Sequence, residues 1–244
     1  MDTDGITKLY ANINLLAEEG AVVHIERVEK EDGVKKILLC LVGKLLTTKL
    51  TNREAFRALI TKIWLTIHAV EVKNFQDSIY AFHFQNAIDR KRVFMDGPWN
   101  FDNALLVLKI PSGYGDFSKM RFSHTDFWIQ IQYIPLICMT KNISFLIGRR
   151  IGQVRDIDVG ASRDCFGKFL HLRVTIDISK PLQWVIRVKL ARMVKEKTLL
   201  IKYERLPEYC FGCSYLGHSY REFFKETADQ GNCDSNEFPF GVWM

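Results

Sequence analysis

The residues best suited to chemistry lie near the end of the chain, in the stretch YCFGCSYLGHSYREFF at 209–224. Cys210 and Cys213 are separated by two residues, and His218 follows after four more. This spacing allows two thiolates and an imidazole to reach one zinc ion from a tight turn, and zinc prefers four such ligands in a tetrahedron. The fourth ligand is expected at position 223, which is occupied by Phe223. The spacing therefore predicts a zinc site that is weakened by a missing ligand.

Two other residues could supply the fourth ligand. Glu222 offers a carboxylate one position early, and Cys233 offers a thiolate fifteen residues after His218. Either would require the chain to take a different path, and water could occupy the position instead. Structural zinc contributes roughly 10–16 kcal/mol of apparent binding free energy in zinc-finger peptides, so a lost thiolate should weaken the site severely. At this stage zinc remains a possible cofactor with a weakened site.

Two aromatic residues lie beside these ligands. Phe211 follows the first cysteine, and Tyr215 lies two residues after the second. Flat side chains of this kind stack on unpaired nucleobases. An open three-ligand zinc site can be catalytic, but no nearby set of residues is suited to act as a general base. We therefore expect this stretch to bind nucleic acid.

The composition is that of a globular protein with a real core. Of 244 residues, 48% are hydrophobic and 25% are charged. No apolar run approaches the ~20 residues of a membrane span. No P-loop, nucleophile elbow, H-E-x-x-H or paired-carboxylate motif occurs, and the D-x-D of Asp156 and Asp158 is too weak a pattern to count. We therefore expect no enzyme activity, no membrane association and no small-molecule substrate.

The N-terminal residues lack the basic start and apolar stretch of a secretory signal. An intracellular protein is expected, although nucleus and cytoplasm are not distinguishable. In such a reducing compartment a C-x-x-C pair indicates metal or redox chemistry rather than a disulfide. Cys40 and Cys138 lie in apolar runs and are expected to be core residues.

The elements that must position the cysteines form two α+β units. Residues 1–34 are charged and turn-rich, which predicts a flexible N-terminal arm with one short strand candidate at 21–26. A buried strand is expected from Lys36. Residues 35–111 read as strand, helix, strand, strand, helix, strand, which is the ferredoxin-like βαββαβ order. Its first helix, over 52–66, is expected to begin at Thr51 as the N-cap of a capping box.

Three aromatic residues alternate along one strand of this unit, at Tyr80, Phe82 and Phe84. In RNA-recognition modules such residues are exposed and stack on bases. Here the intervening residues Ala81 and His83 are poorly suited to form a buried face. Core packing beneath the helices is therefore favoured over base stacking.

A second, smaller α+β unit is predicted over 125–206, followed by a degenerate zinc-binding segment at 207–224 and a C-terminal tail at 225–244. Thr140 is expected to cap the helix of this unit. Along one of its strands, alternate apolar residues are expected to face the core: Leu170, Leu172, Val174, Ile176 and Ile178.

The second half of the chain is rich in positive charge. Residues 141–205 contain 15 Lys/Arg and 6 Asp/Glu, whereas the whole chain has a net charge of +6. This uneven charge favours a polyanionic partner. If the last three strands pair as a meander, four cations share one solvent-exposed face and could track phosphates: Arg173, Arg187, Lys189 and Lys202.

Several stretches in order carry a resemblance to a known family. They are LCLVGKLLT, GPWNFDNALLVLKI, DFWIQIQYIPL, IGRRIGQV, RVTIDISKPL and IKYERLPEYCFGCSYLGH, and they extend from Leu39 to His218. The chain resembles a plant family in which a domain of unknown function precedes a CCHC zinc knuckle. These proteins are similar to the gag-like, RNA-binding open reading frame of LINE-type retrotransposons.

The resemblance implies nucleic-acid binding with zinc as the metal. Its ligands fall on Cys210, Cys213 and His218, its fourth falls on Phe223, and Ser214 replaces the glycine usual after the second cysteine. A lost ligand is typical of a decayed or truncated copy. We therefore expect a non-enzymatic, retrotransposon-derived nucleic-acid-binding protein, with RNA or single strands favoured. The alternative is a protein-interaction or self-association module with a vestigial knuckle.

Overall fold

Ten strands and four helices make up the part of the chain that the structure describes. The structure is a computed structural model and describes residues 27–76, 78–113, 119–160, 164–190, 196–207 and 209–218. In chain order the elements are α1 (Arg27–Leu38), β1 (Cys40–Leu46), α2 (Arg53–Trp64), β2 (Glu71–Gln76), β3 (Ile79–His83), α3 (Ala87–Met95), β4 (Trp99–Phe101), β5 (Ala104–Lys109), β6 (His124–Gln132), α4 (Lys141–Ile151), β7 (Gln153–Ile157), β8 (Leu170–Asp177), β9 (Val185–Val188) and β10 (Lys197–Tyr203). None of these helices combines the length and the apolar character needed to cross a membrane.

The first sheet has the strand order β2-β3-β1-β5-β4, and every neighbouring pair is antiparallel. Helix α2 follows β1 and helix α3 follows β3. The order β2-β3-β1-β5 with these two helices is the predicted βαββαβ arrangement. The short strand β4 forms a hairpin with β5 and adds a fifth strand. The α+β fold class expected from the sequence is thus confirmed.

Helix α2 packs on this sheet through residues at helical spacing. Phe56, Ile60 and Trp64 are all fully buried. Asn52 is the N-cap, because its side-chain oxygen accepts a hydrogen bond from the Ala55 backbone N–H at 3.1 Å. The expectation that Thr51 caps this helix is wrong by one residue, since both residue types can cap and only the backbone path decides between them.

The alternating aromatic residues of β3 belong to the core. Tyr80 and Phe82 are fully buried and Phe84 nearly so, and Phe82 packs edge-on against the Trp64 ring. Ala81 on the opposite face is also buried, so β3 is covered on both sides. Base stacking by these residues is therefore excluded in this fold, and core packing is the observed role.

Residues at the end of the predicted N-terminal arm are helical. Helix α1 covers Arg27–Leu38, so the strand expected from Lys36 begins at Cys40 instead. The helix lacks a continuous apolar face, and this is why its sequence reads as a charged arm. The strand candidate predicted at 21–26 lies outside the described residues, and the flexibility of the arm stays a prediction.

The second sheet has the order β7-β8-β6-β10-β9 and is antiparallel throughout. The strands β9 and β10 pair as predicted, but β6 lies between β8 and β10. The expected meander of the last three strands is therefore wrong. Leu170, Leu172, Val174 and Ile176 alternate toward the buried face as predicted. Helix α4 begins at Thr140, the predicted N-cap.

Strand β5 contributes to both cores of the compact unit that starts at Ile37. Leu106 packs with the helices of the first sheet. Leu105 and Val107 point to the opposite face and join the core of the second sheet, where they pack with residues such as Phe127 and Leu199. The sheets are thus in direct apolar contact, and whether 35–111 and 125–206 act as separate domains stays a prediction.

Candidate metal centre and nucleic-acid surface

The two cysteines lie in a tight turn that closes on itself. Tyr209 and Leu216 form an antiparallel bridge at its base. The Cys210 backbone N–H donates to the Tyr215 carbonyl at 2.9 Å, and the Ser214 N–H donates to the Cys210 carbonyl at 2.7 Å. These hydrogen bonds return the chain to its starting point within a few residues. The turn therefore brings ligands from both of its ends together.

Two residues of the turn have left-handed backbone conformations. Ser214 has φ +60° and Gly217 has φ +96°. Glycine adopts such angles readily, whereas another L-residue costs roughly 1 kcal/mol. The glycine that the resemblance places at position 214 has a physical reason, because the backbone there is left-handed. Gly217 permits the reversal immediately before His218.

The turn is docked on the second sheet. The Leu182 N–H donates to the Ser214 carbonyl at 2.8 Å, and Trp184 Nε1 donates to Ser214 Oγ at 3.3 Å. The ring of Tyr209 packs against the Trp184 ring with centroids 4.8 Å apart. Sequence reasoning missed Trp184 and Tyr209 as supports, because only the folded sheet brings them beside the turn. The metal ligands are thus held on a rigid scaffold.

The structure brings the three predicted ligands together. The ligand atoms of Cys210, Cys213 and His218 all lie within 4.8 Å of one another, and Cys213 Sγ is 3.2 Å from His218 Nε2. Cys210 is fully buried, and the other two are partly buried. Two thiolates and one imidazole are a donor set that suits zinc. The alternatives for the fourth ligand, Glu222 and Cys233, lie outside the described residues, as does Phe223.

The protonation state of the thiols matters for metal binding. Burial is the main cause that raises the pKa of Cys213 above its ordinary value, and the neighbouring Cys210 raises it further. Zinc binds the thiolate form, so loading the site must release protons from the cysteines.

The aromatic residues of the turn differ in their exposure. Phe211 is half-buried, and its ring lies 4.7 Å from the Tyr209 ring. Tyr215 is 37% exposed. A base can therefore reach the Tyr215 ring from solvent more easily than the Phe211 ring. Of the two predicted stacking residues, Tyr215 is the better placed.

The predicted basic face is only partly formed. Strand register places Arg173, Arg187 and Lys202 on the same face of the second sheet. Arg187, Lys189 and Lys202 are exposed, but Arg173 is only 7% exposed. Its exposure to solvent was predicted and is wrong, because Arg173 lies beside Asp126 on the wall of a cavity whose other side includes Pro98 and Trp99.

Acidic residues also lie on this face, contrary to expectation. Asp126 lies 3.4 Å from Arg173, and Glu204 lies 3.1 Å from His171. Arg187 and Glu196 form a loose pair at 3.9 Å. Asp126 lies on β6, which separates β8 from β10, whereas the other two acids lie immediately before and after β10. The exposed cations of this face therefore lie on β9 and β10, with an acidic residue at each end of β10.

Comparison with known protein families gives two matches. The model described as "Domain of unknown function (DUF4283)" matches residues 35–112, which contain the first sheet. The model described as "Zinc knuckle", of the CCHC type, matches residues 176–225, which include β9, β10 and the cysteine turn. No curated protein matches the chain. The chain thus combines a DUF4283 match with a following CCHC-type zinc-knuckle match, the arrangement expected from its motifs.

Proposed function

We propose that this chain is a non-enzymatic nucleic-acid-binding protein that favours RNA or single strands and descends from a retrotransposon gag-like reading frame. The observation that carries the proposal is the cluster of Cys210, Cys213 and His218 in one turn, with Tyr215 exposed beside it. The match to the zinc-knuckle family supports nucleic-acid binding in general. In this proposal zinc fixes the turn, and the turn presents its aromatic rings to bases.

The exposed cations of β9 and β10 supply the phosphate contacts in this proposal. Arg187 and Lys202 are exposed on the two strands that precede the turn, and Lys189 is exposed one residue after β9. A single-stranded nucleic acid with one base stacked on Tyr215 could place its following phosphates on these three cations. Phosphate contacts of this kind give affinity without sequence preference. Arg173 is left out of this surface because it is buried.

The salt dependence of binding tests the proposal. We expect the affinity for a fluorescent single-stranded RNA to fall steeply between about 50 and 200 mM salt, because phosphate contacts release counterions. Duplex DNA of the same sequence should bind more weakly. Charge reversal at Arg187 and Lys189 together should weaken binding uniformly across sequences. Absence of RNA binding by the zinc-loaded protein at low salt would reject the proposal.

Self-association is a second candidate function, favoured by a separate observation. Leu136, Ile137 and Leu146 are each more than 60% exposed. Leu146 lines a groove whose apolar residues include Ile143 and Val188 and whose lining also contains three cations. Exposed apolar groups of this kind can form an interface between copies. Sedimentation velocity over a range of concentrations, with the uncharged variant Leu146→Ser beside the wild type, separates this function from nucleic-acid binding, because the substitution removes apolar surface and leaves the charge unchanged.

A further inference from the structure

A groove of about 380 Å³ lies between the two sheets, and its lining residues lie outside 209–218. This volume is within the range of roughly 300–1,000 Å³ that is typical of small-molecule sites. The wall from the first sheet is apolar and includes Met95, Pro98 and Trp99. The wall from the second sheet is polar and includes Arg155 and Arg173. The groove therefore offers an apolar surface opposite a cationic one.

Arg173 is an unusual group in the polar wall. Although it is only 7% exposed, its Nε and Nη2 atoms have no hydrogen-bond partner among the described residues. Asp126 Oδ2 lies 3.4 Å from Nε, which is within ion-pair distance but outside hydrogen-bond geometry. Buried donors without an acceptor are rare in native proteins. Both atoms are themselves buried, so Arg173 contributes its positive charge to the wall of the groove, whereas the more exposed Arg155 can contact an acceptor there directly.

The charge of the groove favours an anion. Its lining contains three cations, Lys109, Arg155 and Arg173, and a single carboxylate, Asp126. That carboxylate accepts a hydrogen bond from the Thr175 hydroxyl. It also lies 3.8 Å from Arg155 Nε, so its charge is shared between two arginines. A net positive charge therefore remains in the groove.

We propose that this groove binds one nucleotide of a single-stranded nucleic acid, with its phosphate held by Arg155 and Lys109 in the positive field of the buried Arg173, and with its base against the apolar side chains of the groove. Guanidinium groups suit phosphate because their planar N–H donors match its oxygens. Met95, Pro98 and Trp99 give the base an apolar surface. This inference rests on the proposed function and adds a second contact, on the DUF4283-matching part of the chain.

The test uses the full chain and a fluorescent single-stranded RNA of about ten nucleotides. The principal variant is Arg155→Glu, since the Arg155 side chain is 47% exposed and its replacement leaves the core intact. Lys109→Glu is a second variant from the other wall. Lys62→Glu is the matched control, because it makes the same charge change on the exposed side of α2. Circular dichroism verifies that all four proteins are folded.

We expect Arg155→Glu and Lys109→Glu each to lower the affinity about tenfold and to reduce the salt slope by about one or more, because each loses a phosphate contact. Lys62→Glu should change the affinity less than about twofold. A strand carrying 4-thiouridine should photo-crosslink to the peptide that contains Met95 and Trp99. Two results would exclude nucleotide binding in the groove while the proposed function stands. In the first, the wild type binds RNA but both groove variants bind as Lys62→Glu does. In the second, the crosslinks fall only on the cysteine turn. If the wild type binds no RNA, both the groove and the proposed function are rejected.

Discussion

Cys213 Sγ lies 3.2 Å from His218 Nε2, with Cys213 inside the hydrogen-bonded turn and His218 two residues after the bridge that closes it. This distance is close to that between two ligands of the same tetrahedral zinc ion. The turn therefore holds the pair near metal-binding geometry through its own backbone hydrogen bonds and its contacts with Trp184. The three predicted ligands are thus brought together by the fold, and Phe223 occupies the position where the resemblance places a fourth.

Cys213→Ser should remove most of the zinc from the purified protein. The substitution leaves only Cys210 and His218 of the clustered ligands, and two ligands hold zinc weakly. Metal analysis by mass spectrometry measures the stoichiometry. Cys165→Ser is the control, because it makes the same substitution at a cysteine that does not belong to the cluster. Equal zinc content in the two variants would show that the cluster is not the metal site.

Phe223→Cys should strengthen zinc binding. The change supplies a thiolate at the spacing expected of the fourth ligand. Structural zinc has an apparent binding free energy of roughly 10–16 kcal/mol. If four ligands share it equally, one added ligand should raise the zinc affinity on the order of a hundredfold. Competition with a chromogenic chelator measures it. Phe223→Ser is the control, because it removes the aromatic ring without adding a thiolate. An affinity equal to that of the control would mean that position 223 does not reach the metal.

Tyr215→Ala should weaken single-stranded RNA binding without altering stability. Stacking on one aromatic ring contributes about 1–3 kcal/mol per base, which is roughly fivefold or more in affinity. Tyr215 is 37% exposed, so its truncation costs the fold little. Fluorescence anisotropy measures the affinity. Tyr215→Phe retains the ring and should bind like the wild type. A loss of affinity in Tyr215→Phe as large as in Tyr215→Ala would point to the hydroxyl rather than to stacking.

Gly152→Ala should destabilise the fold strongly. A Cβ at this position would lie 2.1 Å from the Thr175 carbonyl oxygen, which is part of the backbone of β8 and cannot move aside cheaply. We expect a loss of about 1–3 kcal/mol in the free energy of unfolding, measured by urea denaturation. Gly167→Ala is the control, since its nearest contact would be at an ordinary 3.6 Å. Equal stabilities of the two variants would contradict the close approach of α4 and β8.

Asp89→Asn should reduce the dependence of stability on pH. A hydrogen bond from Asn86 is the main cause that lowers the pKa of Asp89. Asp89 also accepts from the Ile67 N–H at 3.0 Å. Because the folded-state pKa is lowered, its stabilising contribution is present above the unfolded value of about 3.9 and is lost as the pH falls through the folded value.

Urea denaturation at neutral pH and at about pH 3 measures this effect. The wild type should lose more free energy of unfolding between the two conditions than Asp89→Asn does. Asp32→Asn, an exposed aspartate of α1, is the control and should behave like the wild type. If Asp89→Asn retains the full pH dependence, the carboxylate does not contribute in the way that its hydrogen bonds indicate.

Local patterns predicted much of the fold. The alternation of Leu170, Leu172 and Val174 was sufficient to assign the buried face of β8, since side chains alternate along a strand. The spacing of Cys210, Cys213 and His218 likewise predicted their meeting, because a short turn has few ways to close. In both cases the residues that determine the local structure lie close together in the sequence.

The errors concern contacts between distant segments. The order of the second sheet depends on β6, which pairs with both β8 and β10, and no local pattern in β8 or β10 indicates that partner. Arg173 therefore appeared to be a surface residue, whereas it lies beneath a segment near Pro98. Helix α1 was missed because its residues are mostly polar, so neither helical nor strand periodicity is visible in them.

Strand β5 places Leu106 in one core and Leu105 and Val107 in the other. The loss of either sheet would therefore uncover apolar side chains of the remaining one. A shortened protein that stops near Pro111 would present Leu105 and Val107 to water and would tend to aggregate. For the same reason the two sheets should unfold together in a single thermal transition. A destabilising substitution in either sheet should therefore lower the solubility and the lifetime of the whole chain.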